Sequence, residues 1–180
     1  MTILETERLT LRNFCASDWE ALHEIICQYQ ASELAAYDQP WPTSPDEIRK
    51  IAAWFASGER YLAVCLKDTG RLIGFVALNP EQGERALNLG YVLNSDYHGQ
   101  GYATEACQAL LSHAFGTLQA EKVVSGTAAA NQSSCRLLAR LGFRRVGESV
   151  TSFGPGRDGK PAEFLGYSFE LTRGEWEAAG

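Results

Sequence analysis

Residues 87–115 read LNLGYVLNSDYHGQGYATEACQALLSHAF, and two kinds of secondary structure meet within them. Leu87 to Leu93 alternate apolar side chains with other residue types, the period-two pattern that is typical of a β-strand. From Ala103 to Phe115, apolar side chains recur close to helical spacing and mark one face of a helix. Gly99 and Gly101 lie between the two patterns. The stretch therefore predicts a strand, a glycine-bearing turn and a helix.

The glycine-bearing turn is suited to bind an anion such as a diphosphate. The first turn of a helix has backbone N–H groups without partners, and glycines let a phosphate approach them closely. A tight turn that only starts a helix well is the simpler alternative for so short a motif. A dinucleotide-binding fingerprint fits less well and is set aside. Thr104 stands where its third glycine belongs, and Glu121 precedes the next strand instead of ending it.

A second motif runs from Asn131 to Phe143 in the pattern Asn-x-x-Ser-x-x-Leu-Leu-x-Arg-Leu-Gly-Phe. Its leucines give a helix one buried face, and Gly142 ends that helix. Asn131 and Ser134 stand at the N-terminal end, where polar side chains cap a helix or reach a ligand. Capping is the ordinary interpretation of such a serine, but the glycine turn one strand earlier favours a ligand contact.

Together these motifs resemble the GCN5-related N-acetyltransferases, the GNAT superfamily. The family signature for acyl-CoA binding is Gln/Arg-x-x-Gly-x-Gly/Ala at a strand-to-helix turn, and residues 98–103 read His-Gly-Gln-Gly-Tyr-Ala. Gly101 and Ala103 match the signature, whereas His98 replaces the usual Gln or Arg. The run from Gly99 to Ala106 is similar to the RimJ/RimL type, which acetylates the N-termini of ribosomal proteins. The resemblance extends over nearly the whole chain.

The resemblance implies acetyl-CoA as the cofactor and gives it a set of binding residues. The pantetheine arm is expected between two splayed parallel strands, Leu87–Leu93 and Lys122–Thr127. Backbone groups of Val92 and Leu93 are expected to bind it, and a backbone N–H there to serve as oxyanion donor. The turn is expected to hold the diphosphate, and Ser134 to lie near the thioester sulfur as a catalytic residue. The expected cofactor-binding residues are Val92, Leu93, His98, Gly99, Gln100, Gly101, Tyr102, Ala103, Thr104, Asn131 and Ser134.

The general base is the least determined part of the expected site. Many relatives have a glutamate directly before the Leu/Ile-Gly-Tyr of the central strand, where this chain has Asn88. Glu81 and Glu84, in the preceding loop, are the best-placed carboxylates to deprotonate an amine through water. A solvated loop charge is the simpler interpretation of each, and orientation of the substrates alone is another possibility. The helix after Asn131 carries no tyrosine, so the tyrosine acid of other branches is not expected.

Composition narrows the classes of partner. The chain has 180 residues with 45% hydrophobic and 21% charged residues, which suits one domain over residues 1–180. Its net charge is −6 and it has no Lys/Arg run, so neither nucleic acid nor an anionic membrane is an expected partner, whereas an amine is. The five cysteines are scattered, so no metal is expected, and a reducing cytoplasm fits their spacing. A monomer or a homodimer is expected.

The predicted element order is β, α, α, β, β, β, α, β, α, β, β. Ser17 and Ser44 each begin a capping box, with a glutamate three residues on, and so predict the starts of the first two helices. This order predicts an α+β, or mixed α/β, fold with helices packed on a central sheet. The GNAT resemblance implies that the sheet is twisted and mostly antiparallel with one splayed parallel pair, and that helices cover both of its faces.

The expected function is acetyl transfer from acetyl-CoA to a primary amine, either a protein N-terminus or a small molecule. Tyr37 and Trp41 are the expected acceptor-binding residues, because a loop would not ordinarily expose such large apolar groups. The Phe153–Pro161 loop is expected to close over the acceptor. Packing of Trp41 into the core is the alternative. Two other functions stay open, a non-catalytic acyl-CoA-binding domain and an interaction domain that uses the aromatic residues.

Overall fold

We describe the fold from a computed structural model, which covers residues 3–153 and 162–180. Its strands are β1 (Ile3–Glu5), β2 (Leu9–Asn13), β3 (Tyr61–Leu66), β4 (Leu72–Pro80), β5 (Ala86–Leu93), β6 (Lys122–Ala128), β7 (Arg144–Thr151) and β8 (Phe164–Thr172). Its helices are α1 (Trp19–Ala31), α2 (Pro45–Ala56), α3 (Tyr102–Gly116), α4 (Gln132–Arg140) and α5 (Arg173–Ala179).

All of these strands belong to one sheet, in the order β1-β2-β3-β4-β5-β6-β8-β7. Neighbouring strands are antiparallel with one exception among the described strands, the parallel pair β5 and β6. A parallel neighbour requires a crossover connection, and α3 supplies it. The prediction of a mostly antiparallel sheet with one parallel pair is therefore confirmed.

The sheet separates two hydrophobic clusters, as β3 shows by its alternation. Leu62 and Val64 pack in the cluster that holds buried residues of α3 and α4. Ala63 and Cys65 pack in the other cluster, with buried residues of α1 and α2. Because successive side chains of a strand point to opposite faces, helices cover both faces of the sheet, as predicted.

The two predicted helix starts have different outcomes. Ser44 caps α2, where its side chain accepts the N–H of Glu47 and donates to the Glu47 carboxylate. Ser17 is not the N-cap of α1, because it lies inside a short 3-10 turn, Ala16–Asp18. The Asp18 carboxylate accepts hydrogen bonds from Arg12 and from the Cys15 N–H instead, and this ion pair fixes the turn that leads into the helix.

The predicted element order omits two elements, β1 and α5. β1 has three residues, which is too short for a periodic pattern to show. α5 does carry a readable signal, because Thr172 and Glu175 form a capping box at its start. The segment expected to be the loop that carries Tyr37 and Trp41 contains a 3-10 helix at Glu33–Tyr37. In the described ranges, no helix combines the length and apolar character that a membrane crossing requires.

Candidate active site

The parallel pair β5 and β6 is joined at one end only. Their aligned residues run from Ala86 opposite Lys122 to Asn88 opposite Val124. Beyond that point β5 continues beside β4 as far as Leu93, and β6 continues beside β8. The Ser125 hydroxyl donates to the Leu89 carbonyl over 2.9 Å and is the last bridge between the two strands that we find. A gap therefore opens between them toward the C-terminal end of β5.

The glycine turn lies just past the end of β5. Gly99 and Gly101 have φ angles of 73° and 84°, in the left-handed region that favours glycine. Gly101 is the N-cap residue of α3, and no side chain caps this helix start. The N–H groups of the first turn, at Tyr102, Ala103 and Thr104, therefore face outward without a side-chain acceptor.

An ion pair braces the turn from behind. Arg8 donates through Nη1 to the Gln100 carbonyl over 3.0 Å and pairs through Nη2 with the Glu105 carboxylate over 2.7 Å. The Thr6 hydroxyl donates to the same carboxylate over 2.6 Å. Burial acts to raise the pKa of Glu105, but the hydrogen bonds from Thr6 and Arg8 outweigh it and lower that pKa. The carboxylate thus stays charged and holds the turn in place.

A cavity of about 380 Å³ runs from the C-terminal end of β5, past the start of α4, to this turn, and we call it the cofactor cavity. Of the residues predicted to bind the cofactor, those that line it are Val92, Leu93, His98, Gly99, Gly101, Tyr102, Ala103, Thr104, Asn131 and Ser134. Gln100 is not among them, because its side chain turns back to donate to the Asp96 carbonyl. The His98 ring donates to the Leu93 carbonyl over 3.0 Å.

Sequence analysis did not single out the arginines of the cofactor cavity. Arg136 and Arg140 both line it from α4. Arg140 donates to the Thr104 hydroxyl over 3.1 Å and so places a positive charge beside the first turn of α3. The signal was available, since Arg136 and Arg140 are four residues apart in the predicted helix and therefore lie on one face of it. Their charge complements the helix end as a site for phosphate groups.

Asn131 and Ser134, two predicted site residues at the N-terminal end of α4, have different roles. Asn131 is the N-cap, and its side-chain oxygen accepts the Ser134 N–H over 3.1 Å. Ser134 is therefore not the cap, and its hydroxyl is available for another partner. That hydroxyl is 2.5 Å from the hydroxyl of Tyr91, and Ser134 is buried.

Tyr91 is the functional candidate that sequence analysis missed. α4 itself carries no tyrosine, but Tyr91 reaches it from β5, on the face of the sheet that α4 covers. Burial raises the pKa of Tyr91, and the hydrogen bond with Ser134 opposes this only in part. The phenol therefore stays protonated at neutral pH. Alternation along β5 was enough to place it on the face opposite Val92.

A second cavity, of about 500 Å³, is lined by both strands of the gap, for example by Leu89 and Ser125. We call it the acceptor cavity because the predicted acceptor residues Tyr37 and Trp41 line it. Both cavities are lined by Tyr29, Leu34, Tyr91, Val92, Asn131 and Ser134. They therefore share a boundary that includes the pair of hydroxyls on Tyr91 and Ser134, and we call this boundary the junction.

Tyr37 and Trp41 both line the acceptor cavity. Trp41 also packs edge-on against Phe55 and Phe75, with ring centroids 6.5 and 6.0 Å away. It is thus a core residue on one side and a cavity wall on the other, and its role in acceptor binding stays a prediction. Phe153 lines the same cavity, whereas the rest of the predicted closing loop, residues 154–161, lies outside the described residues.

The predicted base residues lie at the margin of this cavity. Neither Glu81 nor Glu84 lines it, but Asn88 does. The Asn88 amide donates to the Glu81 carboxylate over 3.1 Å, so that carboxylate is one side chain away from the cavity. Hydrogen bonds from the Gln82 N–H and from Asn88 lower the pKa of Glu81. Within residues 3–153 and 162–180, no group of His, Cys, Asp and Glu is arranged to hold a metal ion.

Comparison with known proteins agrees with this geometry. Residues 8–144 match the family described as the acetyltransferase (GNAT) domain. Over 182 aligned residues, covering 95% of this chain and 94% of the relative, the sequence is 30% identical to "Putative ribosomal N-acetyltransferase YdaF" of Bacillus subtilis (strain 168).

Two solved structures share the fold. A GNAT-family acetyltransferase from Bacillus anthracis superposes with a TM-score of 0.83 and 24% identity, covering 96% of this chain and 99% of that one. Spermidine N-acetyltransferase from Vibrio cholerae, in complex with CoA and spermine, superposes with a TM-score of 0.77 and 20% identity, covering 96% of this chain and 99% of that one. The chain therefore belongs to the GNAT family, as an N-acetyltransferase of the RimJ/RimL-like type, a family whose members use acetyl-CoA.

Proposed function

We propose that this protein transfers an acetyl group directly from acetyl-CoA to a primary amine, with no acetylated enzyme in between. The observation that carries the proposal is the junction of the two cavities at Tyr91 and Ser134. Direct transfer requires both substrates to be bound at once with their reacting atoms in contact. Two cavities that share a boundary satisfy that requirement.

The residues around the cofactor cavity fit acetyl-CoA. The uncapped first turn of α3 offers N–H groups to a diphosphate, and Arg136 and Arg140 add positive charge. The cofactor cavity continues from there along the end of β5 to the junction, and the pantetheine arm is proposed to follow it. When bound, acetyl-CoA supplies an acetyl group that a thioester has already activated.

Backbone groups of β5 are proposed to hold that arm. The Leu89 carbonyl faces β6, and the Asn94 N–H bonds to the Ile73 carbonyl, next to β4. Backbone groups alternate in direction along a strand, so those of Tyr91 and Leu93 face the gap and those of Val92 face β4. We therefore assign to Tyr91 the backbone role that sequence analysis gave to Val92. The N–H groups facing the gap are the proposed donors to the carbonyl oxygen as it gains charge.

Ser134 is the proposed acid for the leaving thiolate, and Tyr91 is its partner. In the transfer, the carbon–nitrogen bond forms and the carbon–sulfur bond breaks. The amine loses one proton and the sulfur gains one. Ser134 donates its hydroxyl proton to the sulfur and regains one from Tyr91, which in turn regains one from solvent or from the acceptor side. Because burial keeps the Tyr91 phenol protonated, Tyr91 has a proton to give to Ser134 at the start of each turnover.

Removal of the amine proton is assigned to water held by Asn88 and Glu81. Asn88 lines the acceptor cavity, and its amide is fixed by the Glu81 carboxylate. A water molecule bound there passes the proton to Glu81. Glu84 lies farther along the loop and remains the second candidate from sequence.

The proposal is tested by binding and by turnover. Acetyl-CoA should raise the melting temperature by mass action, and free thiol should appear only when an amine is added. N-terminal peptides and small amines are both to be included as acceptors, because the acceptor is either a protein N-terminus or a small molecule. Binding without thiol release for any amine would identify a non-catalytic acyl-CoA-binding domain. Absence of binding would overturn the proposal.

A further inference from the structure

The acceptor cavity holds one charged side chain among its described lining residues, the carboxylate of Asp38. Asp38 is half-buried. Its carboxylate accepts a hydrogen bond from the Tyr29 hydroxyl over 2.9 Å and another from the Gln39 N–H over 2.7 Å. Among the described residues, no Lys, Arg or His forms an ion pair with it. A partly desolvated carboxylate without a cation is a place where a cationic ligand gains most.

Aromatic rings form much of the wall around this carboxylate. The rings that line the cavity belong to Tyr29, Tyr37, Trp41, Tyr61, Phe75, Tyr91, Phe153 and Tyr167. Several are fixed by ring contacts behind them, such as Tyr61 stacked on Phe55 with centroids 3.9 Å apart and Tyr37 edge-on to Phe164 at 5.3 Å. Ring faces attract an ammonium group and also pack against an apolar body.

The carboxylate is linked to the junction of the two cavities. Tyr29 lines both cavities and donates its hydroxyl to Asp38. Burial raises the pKa of Tyr29, and the nearby charge of Asp38 raises it further, so the phenol remains a donor at neutral pH. An ammonium group attracted to Asp38 is therefore one side chain away from the junction, where the amine reacts once it has lost its proton.

We infer that Asp38 and the surrounding rings form the acceptor subsite for a cationic amine with a compact apolar body and no carboxylate beside the amine. The inference rests on the proposed function and narrows its substrate class. A free amino acid would bring its carboxylate against Asp38, and no described cation lines the cavity to receive it. Arg145 stacks over the Tyr167 ring at 4.4 Å but is not among the lining residues.

The test compares L-phenylalanine amide with L-phenylalanine, which differ at the carboxyl group. The amide should be acetylated, and kcat/KM for the free acid should be about 100-fold lower than for the amide. The free acid would have to place its own carboxylate beside that of Asp38. In Asp38→Asn the KM for the amide should rise about tenfold with little change in kcat, and the preference over the free acid should shrink. Glu33→Gln, which removes an exposed charge from the same segment, is the matched control.

Binding measurements keep this inference separate from the proposed function. Calorimetry on the protein saturated with CoA reports whether phenylalanine amide binds and whether Asp38→Asn weakens it, with no turnover needed. Acetyl transfer with equal use of the amide and the free acid, or an unchanged KM in Asp38→Asn, would overturn the subsite and leave the acetyltransferase intact. Amide binding that depends on Asp38 without any acetyl transfer would support the subsite and overturn the proposed reaction.

Discussion

The two cavities that meet at Tyr91 and Ser134 are built by opposite means. The cofactor cavity takes its binding groups from backbone N–H groups at a helix start and from two arginines, and its residues come mostly from two continuous motifs. The acceptor cavity takes its groups from side-chain rings and a carboxylate that are far apart in the chain. Under the proposed function, the cofactor shared by the family is bound by local motifs, whereas the acceptor is bound by residues that only tertiary packing brings together.

The largest effect is expected when the cofactor side alone is broken, by Gly101→Glu. A residue other than glycine is strained at a φ of 84°, its Cβ would approach Arg8 Nη2 to 3.3 Å, and the added carboxylate would repel phosphates. Calorimetry should show CoA affinity reduced by at least about 100-fold. Gly58→Glu, at a glycine with nothing within 4 Å of an added Cβ, should bind CoA normally. Retained CoA binding in Gly101→Glu would refute the diphosphate site.

Substitutions at the junction should slow the reaction itself and should not selectively weaken the binding of either substrate. Ser134→Ala and Tyr91→Phe should each lower kcat by about 10–100-fold, with little change in KM for acetyl-CoA. If the two hydroxyls act as one relay, the double variant should be no slower than the slower single variant. Ser112→Ala, which removes an exposed helical hydroxyl, serves as the control. Unchanged kcat in both single variants would exclude the relay.

A smaller and one-sided effect is expected from Trp41→Ala. Loss of one cavity wall should raise KM for the acceptor about fivefold and leave KM for acetyl-CoA unchanged. Because Trp41 also packs on Phe55 and Phe75, the free energy of unfolding should fall by about 2 kcal/mol. Trp54→Ala, at an exposed tryptophan of α2, should change neither KM. Equal changes in both KM values would mean that Trp41 acts only through the core.

The smallest effect is expected at the margin of the acceptor cavity. Glu81→Gln should lower kcat about threefold, since a carboxylate that acts through Asn88 and water is a weak base. The pKa of Glu81 is lowered, so activity that depends on its charged form should persist until the pH falls below the usual glutamate range. Glu84→Gln is the companion variant and should keep the wild-type profile. If neither variant alters the acidic limb of kcat against pH, this loop does not supply the base.

The same contrast explains what could be predicted from sequence. The glycine turn and the Asn131–Ser134 motif are local, so the family resemblance that they carry was enough to predict a set of residues of which nearly all line one cavity. Tyr91 was missed because its partner Ser134 is 43 residues away, and only the packing of α4 on β5 brings the two hydroxyls together. Asp38 was missed for a similar reason, since its proposed role depends on rings from several distant segments. The prediction of Ser17 as a cap was wrong because Asp18 forms an ion pair with Arg12, and Ser17 lies inside the turn before α1.

The gap between β5 and β6 also bears on how the protein holds together. Among the described residues, strands β1–β5 are joined to strands β6–β8 in the sheet from Ala86–Lys122 to Asn88–Val124, by the Ser125 hydroxyl and by the flanking Arg85–Glu121 backbone hydrogen bond. A cofactor bound where we propose would contact both halves, so its concentration should affect how often they open separately. Amide hydrogen exchange in β6 and β8 would then slow when CoA is added. A cell short of acetyl-CoA would hold a form that proteases digest more readily.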